Sequence, residues 1–163
     1  MTAAALPVKP ILEQWDDAEG QLCYRFTLPG APRTKKNHSQ AARTGRKCPT
    51  CRLGTGPARV FPSKEFTLYQ AKVSEYVKTK PQLWLAIRRP VAVKAFVYRE
   101  RNVGDFDGYM QALGDILQYC GILANDRYIA HRDGSRLLKD ASNPRMEITI
   151  TVLKADVQEE ISL

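Results

Sequence analysis

Histidine, cysteine and long apolar runs are scarce in this 163-residue chain. It has two histidines and four cysteines, and without an export signal the cysteines are expected to be reduced thiols or metal ligands. No stretch has the apolar length that a membrane span needs, and the first 20 residues lack the basic start of a secretory signal. We therefore expect one folded domain in the cytoplasm, with no membrane partner.

Acidic residues are outnumbered, since 17 Asp and Glu stand against 25 Lys and Arg, which gives a formal net charge of +8. Such an excess favours a polyanionic partner, with nucleic acid first and an acidic membrane surface second. The basic stretch 31–60 contains no Asp or Glu. It is either a solvated charge run or a contact for DNA phosphates. The residues expected to bind DNA are Arg33, Lys35, Lys36, Arg43, Arg46, Lys47, Arg101, Arg127 and Arg132.

Apolar periodicity predicts an α/β fold of the α+β type, in which helices pack on a mixed β-sheet. Alternating residues predict strands near 22–28, 91–99, 127–134 and 145–154. Helical periodicity predicts one helix capped by Ser63 and stopped by Pro81, and a second helix over 107–120.

The domain organisation is expected to be simple. Residues 1–20 are predicted to be a loosely held extension, and 21–163 to be the domain proper. Within it, 31–60 is a basic insertion with a Cys-x-x-Cys pair. It is too long for a passive connection, so it is predicted to be functional or mobile.

A group of acids follows the second predicted strand, in the sequence GDFDGYMQALGDILQYCGILANDR. At about 100° per residue, Asp107, Gln111 and Asp115 fall on one arc of the predicted helix. Asp105 precedes Asp107 by two residues, so in extended backbone both side chains point the same way. The turn GILAND can then bring Asp126 back to the same place.

Carboxylates that converge in this way repel one another unless a cation lies among them. Hard oxygen ligands favour Mg²⁺ or Mn²⁺ over zinc, and such ions assist the hydrolysis of phosphodiesters. The pattern therefore predicts a metal site beside a bound nucleic-acid strand. The alternative is structural: Asp107-Gly108 is a helix cap, and Asn125-Asp126 is an ordinary turn.

The same residues resemble the core motif of the RusA family of Holliday-junction resolvases, D-x-D-N-x-x-K-x-x-x-D, followed by a closing Asp before a strand. FTLPGAPRTKKN and FPSKEF resemble that family's amino-terminal half, so the likeness covers 21–152 in order. It implies a RusA-like fold and a homodimeric, magnesium-dependent endonuclease that makes paired nicks in four-way DNA junctions. It also implies that Asp105, Asp107 and Asp126 bind the metal, with Asp115 a further acid of the site.

Two positions depart from the family motif. Gly108 stands where the family has Asn, and Gln111 stands where it has Lys. Gln111 is expected to face the site, but it cannot offset negative charge that develops on a phosphate. Arg101, Arg127 and Lys36 are candidates to supply the missing charge. Otherwise catalysis is slow, or the protein binds branched DNA without cutting it.

The segment KCPTCRLGTG resembles a zinc knuckle. Cys48 and Cys51 would supply two thiolates, whereas a closed structural zinc site has four ligands. The others would be His38, a cysteine brought in by the fold, or a second subunit's pair. A reduced, metal-free pair is the alternative. Two further functions stay open at this point: a zinc-knuckle adaptor that binds another protein, and a nuclease acting on flaps or single strands.

Overall fold

A mixed β-sheet is the frame on which the helices lie. In the computed structural model, which describes residues 10–35, 40–43, 45–52, 54 and 56–154, the sheet has six strands. They are β1 (Leu12–Asp16), β2 (Leu22–Pro29), β5 (Val91–Arg99), β6 (Ile129–His131), β7 (Arg136–Lys139) and β8 (Arg145–Val152). A separate two-stranded sheet pairs β3 (Gln40–Arg43) with β4 (Ala58–Phe61). The helices of the described residues are α1 (Lys64–Lys78) and α2 (Phe106–Tyr119).

The order of the large sheet is β1-β2-β8-β5-β6, and β7 also pairs with β5. The pairs β1-β2, β2-β8 and β5-β8 are antiparallel, whereas β6 and β7 run parallel to β5. β6 pairs with the beginning of β5, at Val91 and Ala92, and β7 pairs with the end of β5, from Phe96 to Arg99. β5, α2 and β6 therefore form a crossover unit, with α2 starting just after the carboxyl end of β5.

One face of the sheet carries the hydrophobic core. Every second residue of β5 and β8 is buried there, because successive side chains of a strand point to opposite faces. The helices add Phe66, Val73, Leu113, Ile116 and Leu117 to the same cluster. Each fully buried aliphatic side chain contributes about 1.5–3 kcal/mol relative to exposure to water, so this core holds α2 against the sheet.

Both helices begin at a side-chain cap. Ser63 Oγ accepts the backbone N–H of Phe66 at 3.1 Å, which confirms the predicted start of α1. Asp105 Oδ1 accepts the backbone N–H of Gly108 at 2.6 Å and so caps α2. Each cap satisfies a backbone donor that the first turn of a helix leaves without a partner.

The α+β class, the strands β2, β5 and β8, and both helices are as the sequence predicts. Four expectations about weaker elements are corrected. The insertion 31–60, which the sequence predicts to be a loop without a periodic element, contains β3 and most of its paired strand β4. Residues 12–16 are an edge strand on β2 rather than part of a loose extension. The connection before the last strand contains β7, and the strand predicted near 127–134 is confined to 129–131, after a 3-10 turn at Asp126–Tyr128.

Some expectations fall on residues that the structure does not describe, namely Lys36, His38 and residues 1–9 of the predicted extension. Among the helices of the described residues, none combines the length and the apolar character that crossing a membrane takes.

Candidate metal centre and nucleic-acid interface

The loop between β5 and α2 is fixed by a buried arginine. The Arg99 guanidinium donates to the side chain of Asn102 at 2.6 Å and, over longer distances of 3.5 and 3.4 Å, to the carbonyls of Val103 and Gly104. The Tyr109 hydroxyl donates to the Val103 carbonyl at 2.9 Å. These contacts hold the residues immediately before Asp105, so the start of α2 is set by the end of β5.

Asp105 and Asp107 both lie at the exposed N-terminus of α2. The partial positive charge of a helix N-terminus stabilises ionised carboxylates there. The capping residue is Asp105, which adopts extended backbone, whereas Asp107 lies in the first turn. A Cβ on Gly108 would lie 2.5 Å from Asp105 Oδ1. An Asn at position 108, as in the family motif, would therefore displace the Asp105 side chain from its present position.

Asp126 lies against the middle of α2. Its backbone N–H donates to Gln118 Oε1 at 2.9 Å, and its Cβ lies 3.5 Å from where a Cβ on Gly114 would be. Since Gly114 follows Asp107 by seven residues, it lies about 10.5 Å further along the helix axis. Asp107, Gln111 and Asp126 therefore follow one another along one side of α2.

In the part of the chain that the structure describes, no three His, Cys, Asp or Glu side chains are grouped as ligands of one metal ion. The convergence of Asp105, Asp107 and Asp126 on a single ion therefore stays a prediction. What the structure gives is a row of acids: a close pair at the N-terminus of α2 and a third acid further along.

Asp115 is paired with a cation that sequence reasoning did not assign to it. Its Oδ2 is buried, and the ammonium of Lys35 lies against that oxygen. The same ammonium lies 5.9 Å from the centre of the Phe66 ring, and the Lys35 carbonyl accepts the N–H of Ser63 at 3.4 Å. Lys35 is thus held between the start of α1 and the polar side of α2.

This position bears on the missing lysine of the motif. Residues four apart on a helix have their Cβ atoms about 5–6 Å apart, so Asp115, which the Lys35 ammonium contacts, lies about one turn from Gln111. The sequence predicts only a general role in DNA binding for Lys35. No local pattern pointed to the ion pair, because the two residues are far apart in the chain.

The acids at the two ends of the row have no such partner. Among the described residues, Asp105, Asp107 and Asp126 form no ion pair with Lys, Arg or His, and the same holds for other exposed acids such as Asp16 and Asp133. What sets the three apart is that they lie beside one helix, where unpaired carboxylates favour the binding of a cation. The oxygen donors suit Mg²⁺, which keeps several waters and is often held by one or two carboxylates together with substrate phosphates.

A cavity of about 370 Å³ runs along the loop that leads into α2. Three arginines line it, Arg33, Arg99 and Arg101, and Arg33 forms an ion pair with Glu100 at 3.1 Å. Two polar atoms buried at this cavity, Thr34 Oγ1 and Arg99 Nε, have no hydrogen-bond partner within the described chain. The cavity therefore offers hydrogen-bond donors and positive charge close to the acid pair.

The other basic residues divide into two groups. Arg132 Nη2 lies 3.8 Å from the point that a Cβ on Gly114 would occupy, beside Asp126. The guanidinium of Arg127 lies 5.3 Å from the centre of the Tyr128 ring. Both therefore flank the acid row. Arg46 and Lys47 are exposed in the loop between β3 and β4. Arg43 lies within β3.

The four cysteines lie in three places. Cys48 and Cys51 share a turn between β3 and β4. Cys23 is buried on β2, with its Sγ 3.3 Å from Thr151 Oγ1, and Cys120 follows α2. None of these joins a group of three possible metal ligands among the described residues. Zinc at Cys48 and Cys51 stays a prediction.

No family model matches the chain, and no curated protein matches it either. The resemblance to the RusA family thus rests on the motif residues themselves. Nuclease activity, the junction substrate and the homodimer are proposals.

Proposed function

We propose that this protein is a Mg²⁺- or Mn²⁺-dependent endodeoxyribonuclease that resolves four-way DNA junctions as a homodimer. The observation that carries the proposal is the acid row on α2. Asp105, Asp107 and Asp126 lack basic partners among the described residues, although the chain carries a net charge of +8. The resemblance of these positions to the junction-resolvase motif supports the same function.

Asp105 and Asp107 are the proposed ligands of one ion, and Asp126, about two turns further along α2, is proposed to hold that ion or a second one. A bound divalent ion supplies a Lewis acid and a more acidic water. Asp105 is oriented before any ion binds, because one of its oxygens already accepts the N–H of Gly108. Holding a ligand in advance reduces the reorganisation that binding and reaction require.

Lys35 is proposed to supply the positive charge that Gln111 lacks. Its ammonium pairs with Asp115, a residue that lies about one turn from Gln111 on α2. Charge of this kind stabilises negative charge that develops on a phosphate during hydrolysis. Asp115 would then position Lys35 rather than bind the metal.

The basic residues on either side of the acid row are proposed to hold the DNA backbone. Arg33 and Arg101 line the cavity before α2, and Arg132 lies beside Asp126. Phosphate contacts of this kind position a strand without reading its sequence. A four-way junction has two equivalent strands to cut, and a two-fold dimer offers two equivalent sites.

The test is cleavage of a synthetic four-way junction, compared with flap and single-stranded DNA at matched salt. The wild type is expected to make paired nicks in the junction in Mg²⁺ and none in a chelator. Asp107→Asn is expected to bind the junction but to cut it at least about a hundredfold more slowly. Asp16→Asn, which removes an exposed carboxylate at the end of β1, should cut at the wild-type rate.

Other outcomes point to other functions. Binding of the junction without cleavage in either Mg²⁺ or Mn²⁺ would identify a branched-DNA-binding protein. Faster cleavage of flaps or single strands than of junctions would identify a different nuclease. Undiminished cleavage by Asp107→Asn would remove the acid row from the reaction.

A further inference from the structure

The turn from Cys48 to Arg52 has a defined conformation. The Arg52 N–H donates to the Cys48 carbonyl at 2.9 Å, and Arg52 itself has a positive φ of 58°. Lys47 and Gly54 pair across the turn as an antiparallel bridge. Both cysteines are thereby presented from one short hairpin, three residues apart, on the outside of the molecule.

The Cys48 sulfur faces the backbone amides of its own turn. The backbone N–H groups of Cys51 and Thr50 donate hydrogen bonds to it. The thiolate is the form that binds metals. An ion with a preference for sulfur, of which zinc is the commonest example, is the ligand that such a pair favours.

One chain cannot supply four nitrogen or sulfur ligands here. The whole sequence contains four cysteines and two histidines. Cys23, Cys120 and His131 are not grouped with the pair, since no group of three possible ligands exists among the described residues. The remaining donor of this type is His38, which lies outside them. A closed zinc site has four ligands, so even with His38 a single chain is one short.

The surroundings of the turn suit a negatively charged metal complex. Lys47 and Arg52 are exposed next to the two cysteines, and like charges of this kind repel when two such turns approach. Zinc bound by four thiolates has a net charge of −2, which attracts the same residues. Two turns are therefore expected to meet with the metal and to separate without it.

We propose that the Cys48–Arg52 turn is half of a zinc site, completed by the same turn of a second copy of the chain. Two copies supply four thiolates to one tetrahedral ion. This joins the two basic hairpins into one positively charged surface. The site is separate from the acid row on α2 and does not depend on nuclease activity.

The test is a zinc titration of the metal-free wild-type chain that measures stoichiometry, with sedimentation before and after zinc to show whether the metal joins the turns within the proposed homodimer or brings separate chains together. Binding is expected to saturate at one zinc per two chains, and the hairpins of two chains should become joined by it. Cobalt in place of zinc should give the absorption spectrum of a four-thiolate site at the same stoichiometry. A chelator should reverse the association that zinc produces.

Variants separate the two possible ligand sets. The double variant Cys48→Ser, Cys51→Ser should lose both metal binding and zinc-dependent association, whereas Cys120→Ser and His38→Ala should retain them. One zinc per chain, loss of binding in His38→Ala, or no binding at micromolar zinc would each overturn the proposal. Because the wild-type titration alone gives the stoichiometry, a variant that fails to fold does not affect the result.

Discussion

Lys35 is the residue that most changes the interpretation of the sequence. The helix has an uncharged Gln111 where the resolvase motif has a lysine, and this predicts either weak catalysis or a substitute cation. The structure places the Lys35 ammonium on Asp115, about one turn from Gln111. The positive charge that the motif's lysine would supply on α2 can therefore come from Lys35, which is far from α2 in the sequence.

Replacing Lys35 by Met tests this role. In the proposed nuclease, Lys35→Met should lower the turnover rate on a saturating junction by about a hundredfold, because a positive charge beside the phosphate is lost. Adding Gln111→Lys to this variant should restore most of the rate. In the wild-type background, the same Gln111→Lys change should have little effect.

The matched control is Lys72→Met, which removes an exposed lysine of α1 and should leave cleavage unchanged. If Lys35→Met cuts as fast as the wild type, Lys35 has a structural role only. If Gln111→Lys alone accelerates cleavage, the cation at Asp115 does not replace the family's lysine.

Thiol reactivity gives a second prediction at the residue scale. Burial raises the pKa of Cys120 to about 11, so at neutral pH its thiolate fraction is about a hundredfold below that of an ordinary thiol. Hydrogen bonds from backbone amides lower the pKa of Cys48. Alkylation of the metal-free protein at pH 7.5, followed by mass spectrometry, should label Cys48 well before Cys120. The opposite order would contradict the geometry of the Cys48–Arg52 turn.

At the scale of secondary structure, two glycines bracket α2, and both have positive φ. Gly104, at φ +85°, precedes the Asp105 cap, and a Cβ there would lie 2.8 Å from Tyr109 Cε2. Gly121, at φ +73°, follows the helix, and a Cβ there would meet nothing within 4 Å. The two sites share the backbone strain that an L side chain suffers at positive φ, but only Gly104 adds a clash.

Alanine at each glycine therefore makes a matched pair. Gly121→Ala should lower the free energy of unfolding by about 1 kcal/mol, from backbone strain alone. Gly104→Ala should cost about 2–3 kcal/mol and should also slow cleavage, because it moves the residue before Asp105. Urea denaturation gives the stabilities. Equal losses of unfolding free energy in the two variants would show that the Tyr109 ring can move away from the added methyl group without a free-energy cost.

The elements that the sequence predicts well are those with strong periodicity and a buried face. β5 and β8 alternate cleanly, and α1 has both a cap and a stop. The edge strands that the sequence does not predict have neither strong periodicity nor a fully buried face. β1 is a half-exposed edge strand of sequence LEQWD, and β7 is four residues long. Such strands are specified by their partners β2 and β5, which local sequence does not reveal.

The candidate site also has one part that the sequence predicts and another part that it does not. The acids Asp105, Asp107, Asp115 and Asp126 stand out in the sequence because of their spacing. The contacts that give them separate roles are tertiary or depend on rotamers. These include the Asp105 cap on Gly108, the Lys35–Asp115 pair and the approach of Arg132 to Asp126. The Lys35–Asp115 pair and the approach of Arg132 to Asp126 join residues far apart in the chain, which no local period encodes; the convergence of the acids on one ion stays a prediction.

At the scale of the whole molecule, the basic residues proposed to bind DNA lie on both sides of the acid row and in the β3–β4 hairpin. Junction binding should therefore weaken steeply with salt, with a slope set by the number of phosphates contacted. Arg101→Ala and Arg132→Ala should each reduce the slope of log K against log salt by about one. Arg88→Ala, an exposed arginine before β5, should leave it unchanged. Equal slopes for all three variants would place the DNA elsewhere.

The central claim is that the acids at the start of α2 bind a divalent ion. Substoichiometric Mn²⁺ added to the isotope-labelled protein tests it directly, because the paramagnetic ion broadens the NMR signals of nearby amides. We predict the strongest broadening at residues 105–108, abolished in Asp107→Asn and unchanged in Asp16→Asn. Broadening centred elsewhere, or the same broadening in Asp107→Asn, would contradict the account.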